Sequence, residues 1–235
     1  MSVKKIQSNL PKVKPQYLTF LLMLYVTFSL VGDVVLYKII KIGFVVGAGG
    51  ILNVPLVLLF EDIIAEIYGY KISRTMLWYI LISQLIFTFV VLAIIHLPSP
   101  AYWHGEKAYS VVFGELDKGV PVMVFSIFAG RFLNLYVITK LKVLMKGRLF
   151  WPRSVFSSLV GDLVTLTLLY PVVFSAFSFG EMSHFYLSDL FTRLMYSIIG
   201  GGPALLLVMY LKRKEGVSVY DTHTNFNPFK LSIED

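Results

Sequence analysis

The chain has 235 residues, of which 57% are hydrophobic and only 15% charged, and its mean hydropathy is +0.74. That balance excludes a water-soluble globular domain, and the absence of cysteine excludes disulfides, thiolate metal sites and a cysteine nucleophile. A net charge of +7 would suggest nucleic acid as the partner of a soluble protein, but here the basic residues sit between apolar runs, where they encode membrane orientation.

A bilayer core about 30 Å thick is crossed by roughly 20 apolar residues in helical form, because lipid offers backbone groups no hydrogen-bonding partner. Six segments meet this requirement: 17–37, 43–67, 75–96, 119–140, 154–179 and 190–211. The first follows Lys4, Lys5, Lys12 and Lys14; it is too long for a secretory signal and no small-residue cleavage site follows it, so it is expected to be a retained span. The second opens on "GFVVGAGGILNVP" and the sixth carries "IIGGGPALLL". Such paired Gly/Pro interruptions mark either broken helices, whose freed backbone groups line a midplane site, or a flexible helix start and a packing kink. Gly43-x-x-x-Gly47 also allows helix pairing, which leaves a homo-oligomer open. The connection 96–118, rich in Pro, Tyr and Trp, reads as an interfacial loop with room for a short surface helix. The expected fold is therefore an all-α integral membrane domain of six transmembrane helices with short loops over 17–211, flanked by tails 1–16 and 212–235.

Lysine and arginine in alternate loops divide 15 to 4, the larger set comprising both tails and the loops after the second and fourth spans. Both termini are expected on the cytoplasmic side.

Ionisable residues in a spanning helix cost about 2.5 to 3.5 kcal/mol each on insertion scales, so they persist where they face a cavity or a partner. They are Asp33, Glu61, Asp62, Glu66, Arg131 and Asp162, with Asn53, Gln84 and Asn134 as uncharged company. Asp62 and Glu66, at i and i+4, share one helix face, as do Arg131 and Asn134 at i and i+3; Glu61 lies about 100° round from Asp62 and is expected to point elsewhere. Two accounts stand for each group. Glu61 and Glu66 belong either to a site or to the headgroup zone, and Asp62 either to a site or to a pair with Lys71 or Arg74. Arg131 either binds ligand or forms a structural pair with Asp162 or Asp62. Asp33 is expected at the interface, and Gln84 to bond another helix. The four histidines are scattered, and no zinc-binding HExxH, phosphate-cradling loop or GxSxG is present, so no enzymatic chemistry, metal or cofactor is expected.

Three stretches, "FEDIIAEIYGYKISRTMLW", "NLYVITKLKVLMKGRLFWPRSVFSSLVGDL" and "VYDTHTNFNPFKL", closely resemble the vitamin uptake or queuosine precursor transporter family of small membrane proteins, in motif, order and spacing. The resemblance implies an importer, in the cell's inner membrane, of 7-deazaguanines such as preQ0, preQ1 or queuine destined for tRNA modification. Its partners would be that small molecule and the bilayer, with no direct contact to nucleic acid. By motif position it assigns Asp62 and Glu66 as an acidic pair, Asn134 as the polar residue of the fourth helix, and Asp162 as the residue after the fifth-helix glycine. The chain departs from the family pattern at Asp162 and Thr165, where relatives have Asn or Gln and then Asp, and at Arg131, often uncharged in relatives; the first and last changes offset each other as a new pair or alter the substrate.

The residues fit such a ligand on their own terms. A deazaguanine edge offers a ring N–H and an exocyclic amine that one carboxylate accepts as a fork, while Asn134 or Asn53 complements the ring carbonyl. The aromatic faces of Tyr68, Trp78 or Tyr136 are available for stacking. The candidate substrate-binding set is Asp62, Glu66, Asn53, Arg131, Asn134 and Asp162. An alternative of a different class is the substrate-binding subunit of an ATP-driven vitamin importer, but "LLMLYVTFSLVG" lacks the A-x-x-x-A docking face usual in the first span of such subunits.

Overall fold

The computed structural model describes residues 16–35, 38–43, 45–222 and 224–230. The first tail, 1–16, therefore lies almost wholly outside the described residues. Helix α1 spans Leu18–Val35. The β-branched run that follows forms an antiparallel hairpin, β1 (Ile39–Ile42) with β2 (Val45–Ala48), paired from Ile39↔Ala48 to Ile42↔Val45. Gly43, with φ 62°, supplies the left-handed turn. A 3-10 turn, Gly49–Leu52, leads into helix α2, Val54–Ile95. The glycines of "GFVVGAGG" thus precede the second span and do not break it, and Gly43 and Gly47 lie on the hairpin, not on a helix face that pairs.

Helix α2 has 42 residues. At about 1.5 Å per residue that is roughly twice the bilayer core, so it supplies two crossings only if the chain turns back. It does so at Gly69, whose φ of 80° and ψ of 178° leave the helical region. The first arm runs antiparallel to α1, with Tyr25 against Glu61 and Asn53 against Phe28; the second returns alongside α1, placing Gln84 on Asp33. The second and third expected spans are these two arms. A short helix α3, Glu106–Phe113, with no buried residue, occupies the interfacial connection. Helices α4 (Glu115–Leu144), α5 (Phe150–Val173) and α6 (Phe179–Glu215) complete the bundle.

Among the described residues five helices are long and apolar enough to span a membrane, α2 counting as one, so the all-α multi-pass architecture is as the hydropathy requires. Large apolar side chains such as Phe20, Met23, Phe89, Phe125, Ile199 and Leu206 face outward, while carboxylates and guanidinium groups lie inside. That inversion suits a lipid solvent, in which polar groups must find partners within the protein.

Close packing sets the helix separations. A Cβ added to Gly130 of α4 would meet the Thr165 side chain and, at 2.6 Å, the Gly161 carbonyl oxygen of α5; one added to Gly161 would meet the Gly130 carbonyl oxygen at 2.7 Å. Two glycines thus allow α4 and α5 to touch through their backbones. The variant Gly130→Val is expected to lower the melting temperature in detergent by several degrees, since overpacking costs about 1 to 3 kcal/mol. Gly202→Val, where the added atom meets nothing within 4 Å, should melt close to wild type. In α6 the helix continues through Gly200–Pro203 without interruption, so of the two readings of that cluster the broken helix is not the one realised. Gly200 seats the Leu59 side chain and Gly201 the Trp151 ring, which is why side chains are missing there.

The segment after α6 packs against the bundle. Residues 217–222 and 224–229 form a strap along the second arm of α2. Val219 N–H donates to the Ile67 carbonyl oxygen at 3.0 Å, and Asp221 Oδ2 accepts from Tyr70 N–H at 2.9 Å. The backbone groups freed on both sides of Gly69 are thereby satisfied by one short stretch of chain. Arg74 Nη1 donates to the Asn225 and Asn227 carbonyls at 3.2 and 2.9 Å, and Trp78 Nε1 to the Pro228 carbonyl at 2.7 Å. Phe226 packs tilted against Tyr70 and edge-on against Tyr136, and Phe229 packs tilted against Trp78 and stacks on Phe128.

Candidate functional site

The polar interior forms a sequence of layers along the bundle. At the end where α1 begins and α6 finishes, Glu66 receives Arg153 Nη2 at 3.0 Å and Lys212 Nζ at 2.5 Å, with Lys142 Nζ at 3.9 Å. Lys142 also donates to the Glu66 and Val219 carbonyl oxygens, tying this layer to the strap. Arg153 and Lys142, expected in a loop, are 1% exposed. Helix α5 begins at Phe150, four residues earlier than expected, and carries Arg153 inside.

In the next layer Asp62, 0% exposed, accepts from Asn134 Nδ2 at 3.0 Å, Ser154 Oγ at 2.5 Å and Ser158 Oγ at 3.3 Å. It pairs with neither Lys71 nor Arg74. Glu61 does not point away from Asp62's partners: it accepts from the same Asn134 Nδ2 at 3.2 Å, from Tyr25 hydroxyl at 3.2 Å and from Arg131 Nη1 at 2.9 Å. One amide reaches both neighbouring carboxylates because α4 crosses the α2 arm between them. The Asn134 Oδ1 is buried and lacks a partner among the described residues.

Beyond this layer lies a cavity of about 70 Å³ lined by residues of α1, α2, α4, α5 and α6, among them Asp33, Asn53, Gln84, Arg131, Asp162 and Arg193. That is several times the roughly 10 to 15 Å³ one water occupies. Asp33 is not interfacial but 5% exposed, and it accepts from Gln84 Nε2 at 2.9 and 3.0 Å, the helix-to-helix bond expected of that glutamine. Asp162 pairs with Arg193 Nη1 at 2.8 Å, not with Arg131; Arg193 also grips Asp189, four residues earlier, at 2.7 Å. Tyr170 hydroxyl donates to Asp189 at 2.9 Å.

Of the six residues singled out from the sequence, Asn53, Arg131 and Asp162 line the cavity; Asp62 and Asn134 form the adjoining layer, and Glu66 lies one layer further away. Trp78 and Tyr136 pack against the strap and none of the three stacking candidates lines the cavity. Arg193, Ser154 and Ser158 are additions that the structure makes, and Asp33, expected at the interface, and Glu61, open between a site and the headgroup zone, join them. The serines carried a signal: Ser154, Ser157, Ser158, Gly161, Asp162 and Thr165 trace one small, polar face along an otherwise apolar α5.

A bundle with an apolar exterior, buried ion pairs in series and an internal cavity defines a multi-pass membrane protein with a polar interior. The family described as "Putative vitamin uptake transporter" matches residues 48–208, more than half of the chain, and the chain belongs to that family. No curated protein and no solved structure matches it.

Proposed function

We propose that this protein imports 7-deazaguanine precursors of modified tRNA, such as preQ0 or preQ1, across the inner membrane, with both termini and the strap on the cytoplasmic side. The observation that carries this reading is the cavity beside the Glu61–Asn134–Asp62 layer, where hydrogen-bond acceptors and guanidinium donors converge in a low-dielectric interior. A ring with a donor edge and a carbonyl complements that mixture, and bases without those donors would leave buried acceptors unpaired. Asn53, Arg131 and Asp162 contact the base from the cavity wall. Asp62 and Asn134 form its floor and carry the path inward, and Glu66 closes that path at the strap end. The family's transport character supports the same reading.

Purified protein in liposomes, without any other subunit, is expected to take up labelled preQ0 or preQ1. The variant Asp62→Asn, at equal protein level, should lower uptake by roughly tenfold or more, because a hydrogen bond to a charged group contributes about 1.5 to 3 kcal/mol. Uptake by wild type and variant alike would remove Asp62 from the path. Uptake only after an ATPase partner is added would make the chain a binding subunit instead.

A further inference from the structure

The buried carboxylates of the bundle differ in how completely they are satisfied. Glu61 has Arg131, Asn134 and Tyr25; Glu66 has Arg153 and two lysines; Asp162 and Asp189 share Arg193; Asp62 has one amide and two hydroxyls. Asp33 stands apart. Among the described residues its two oxygens share a single nitrogen, Gln84 Nε2, and no lysine or arginine pairs with it. A carboxylate offers about four acceptor positions, and most of those on Asp33 are unfilled, although its residue is 5% exposed and lines the cavity.

Gln84 has a fixed orientation. Its NH2 must face the carboxylate, because its carbonyl oxygen there would set acceptor against acceptor, so its Oε1 turns elsewhere. The wall formed by α1 and the second arm of α2 therefore presents mainly acceptors, the Asp33 carboxylate foremost, beside the Ser29 hydroxyl, which donates or accepts. On the α4 side, Arg131 gives one nitrogen, Nη1, to Glu61 and keeps the rest of its guanidinium donors at the cavity. An acceptor wall and a donor wall within one small cavity select a flat ligand with adjacent donors on one edge and a carbonyl next to them.

We propose that Asp33, positioned by Gln84, is the residue that reads the ligand's 2-amino and ring N–H groups as a fork, with Arg131 at the neighbouring carbonyl. This rests on the proposed import of 7-deazaguanines and moves base recognition from the acidic pair of α2 to α1. Asp62, which already accepts from one amide and two hydroxyls, then supports the floor and does not read the base.

The test measures binding of preQ0 and of its 2-desamino analogue to purified full-length protein, wild type and Asp33→Asn, with melting temperature recorded alongside. Wild type should bind preQ0 roughly 10- to 100-fold more tightly than the analogue, the range of a hydrogen bond to a charged group. Asp33→Asn should weaken preQ0 binding by a similar factor and lose most of that discrimination, with melting little changed. If the variant does not fold, the wild type still decides: equal affinity for the two ligands overturns the fork. Full discrimination by a folded Asp33→Asn also overturns it. Wild type that binds no 7-deazaguanine at all defeats the proposed function and this inference together, an outcome distinct from the other two.

Discussion

Replacing Glu66 by alanine is expected to destabilise the whole bundle. Its carboxylate, 1% exposed, is approached by Arg153, Lys212 and Lys142 from α5, α6 and α4. Removing one member of a buried ion pair costs about 3 to 5 kcal/mol because the partner charge stays buried without compensation, and here three partners lose it at once. The melting temperature in detergent should fall by roughly 10 °C or more. Glu66→Gln keeps one acceptor oxygen, replaces the other with an NH2 and removes the charge, and should fall part of the way. Glu66→Ala that melts like wild type and yet fails to bind preQ0 would return this residue to the substrate site, the role that the family resemblance implies.

The second large effect is expected at Gly69. Its φ of 80° is a conformation that residues with a Cβ adopt at a cost, and an added Cβ would lie 2.6 Å from Val219 Cγ1 and 3.1 Å from Asp221 Oδ2. Gly69→Ala therefore strains the turn and pushes the strap off the backbone groups it caps. Tyr220 and Phe226 lie on the strap, so limited chymotrypsin digestion reports its release directly. Cleavage there should be at least several-fold faster in Gly69→Ala than in wild type, while Gly202→Ala, within α6 and with nothing within 4 Å of the added atom, should leave the strap seated. Equal digestion rates for Gly69→Ala and wild type would show that the strap does not depend on this turn.

The membrane architecture was legible because it rests on long apolar runs, and lipid forces such runs into helices whatever their neighbours. The turn at Gly69 was not: the expected boundary between the second and third spans fell nearby, but "EIYGYK" offers one glycine, whereas the conspicuous Gly/Pro clusters drew the expected breaks to 43–55 and 200–203. Those clusters serve the hairpin and the packing of Leu59 and Trp151, functions that depend on neighbours distant in sequence. At the site, periodicity placed Asp62 and Glu66 on one face and paired Arg131 with Asn134; Asp62, Glu66 and Asn134 are buried, and the Arg131 side chain is 13% exposed. Periodicity misled for Glu61, since a long arginine and a bridging asparagine reach 100° round the helix. Arg153 and Lys142 read as loop charge because hydropathy ends a span where basic residues start. Their burial depends on Glu66, a long-range pairing that no local window contains.

The strap also bears on the order of assembly. Residues 219–228 fasten residues 67–78 from a sequence distance of about 150 positions. A nascent polypeptide that has emerged only as far as Glu215 already holds the spanning helices α1, α2, α4, α5 and α6, yet the α2 reversal still exposes bare amide and carbonyl groups. Sealing of that bend waits for one short, late-synthesised stretch, so insertion and final locking are separate events in the life of the chain.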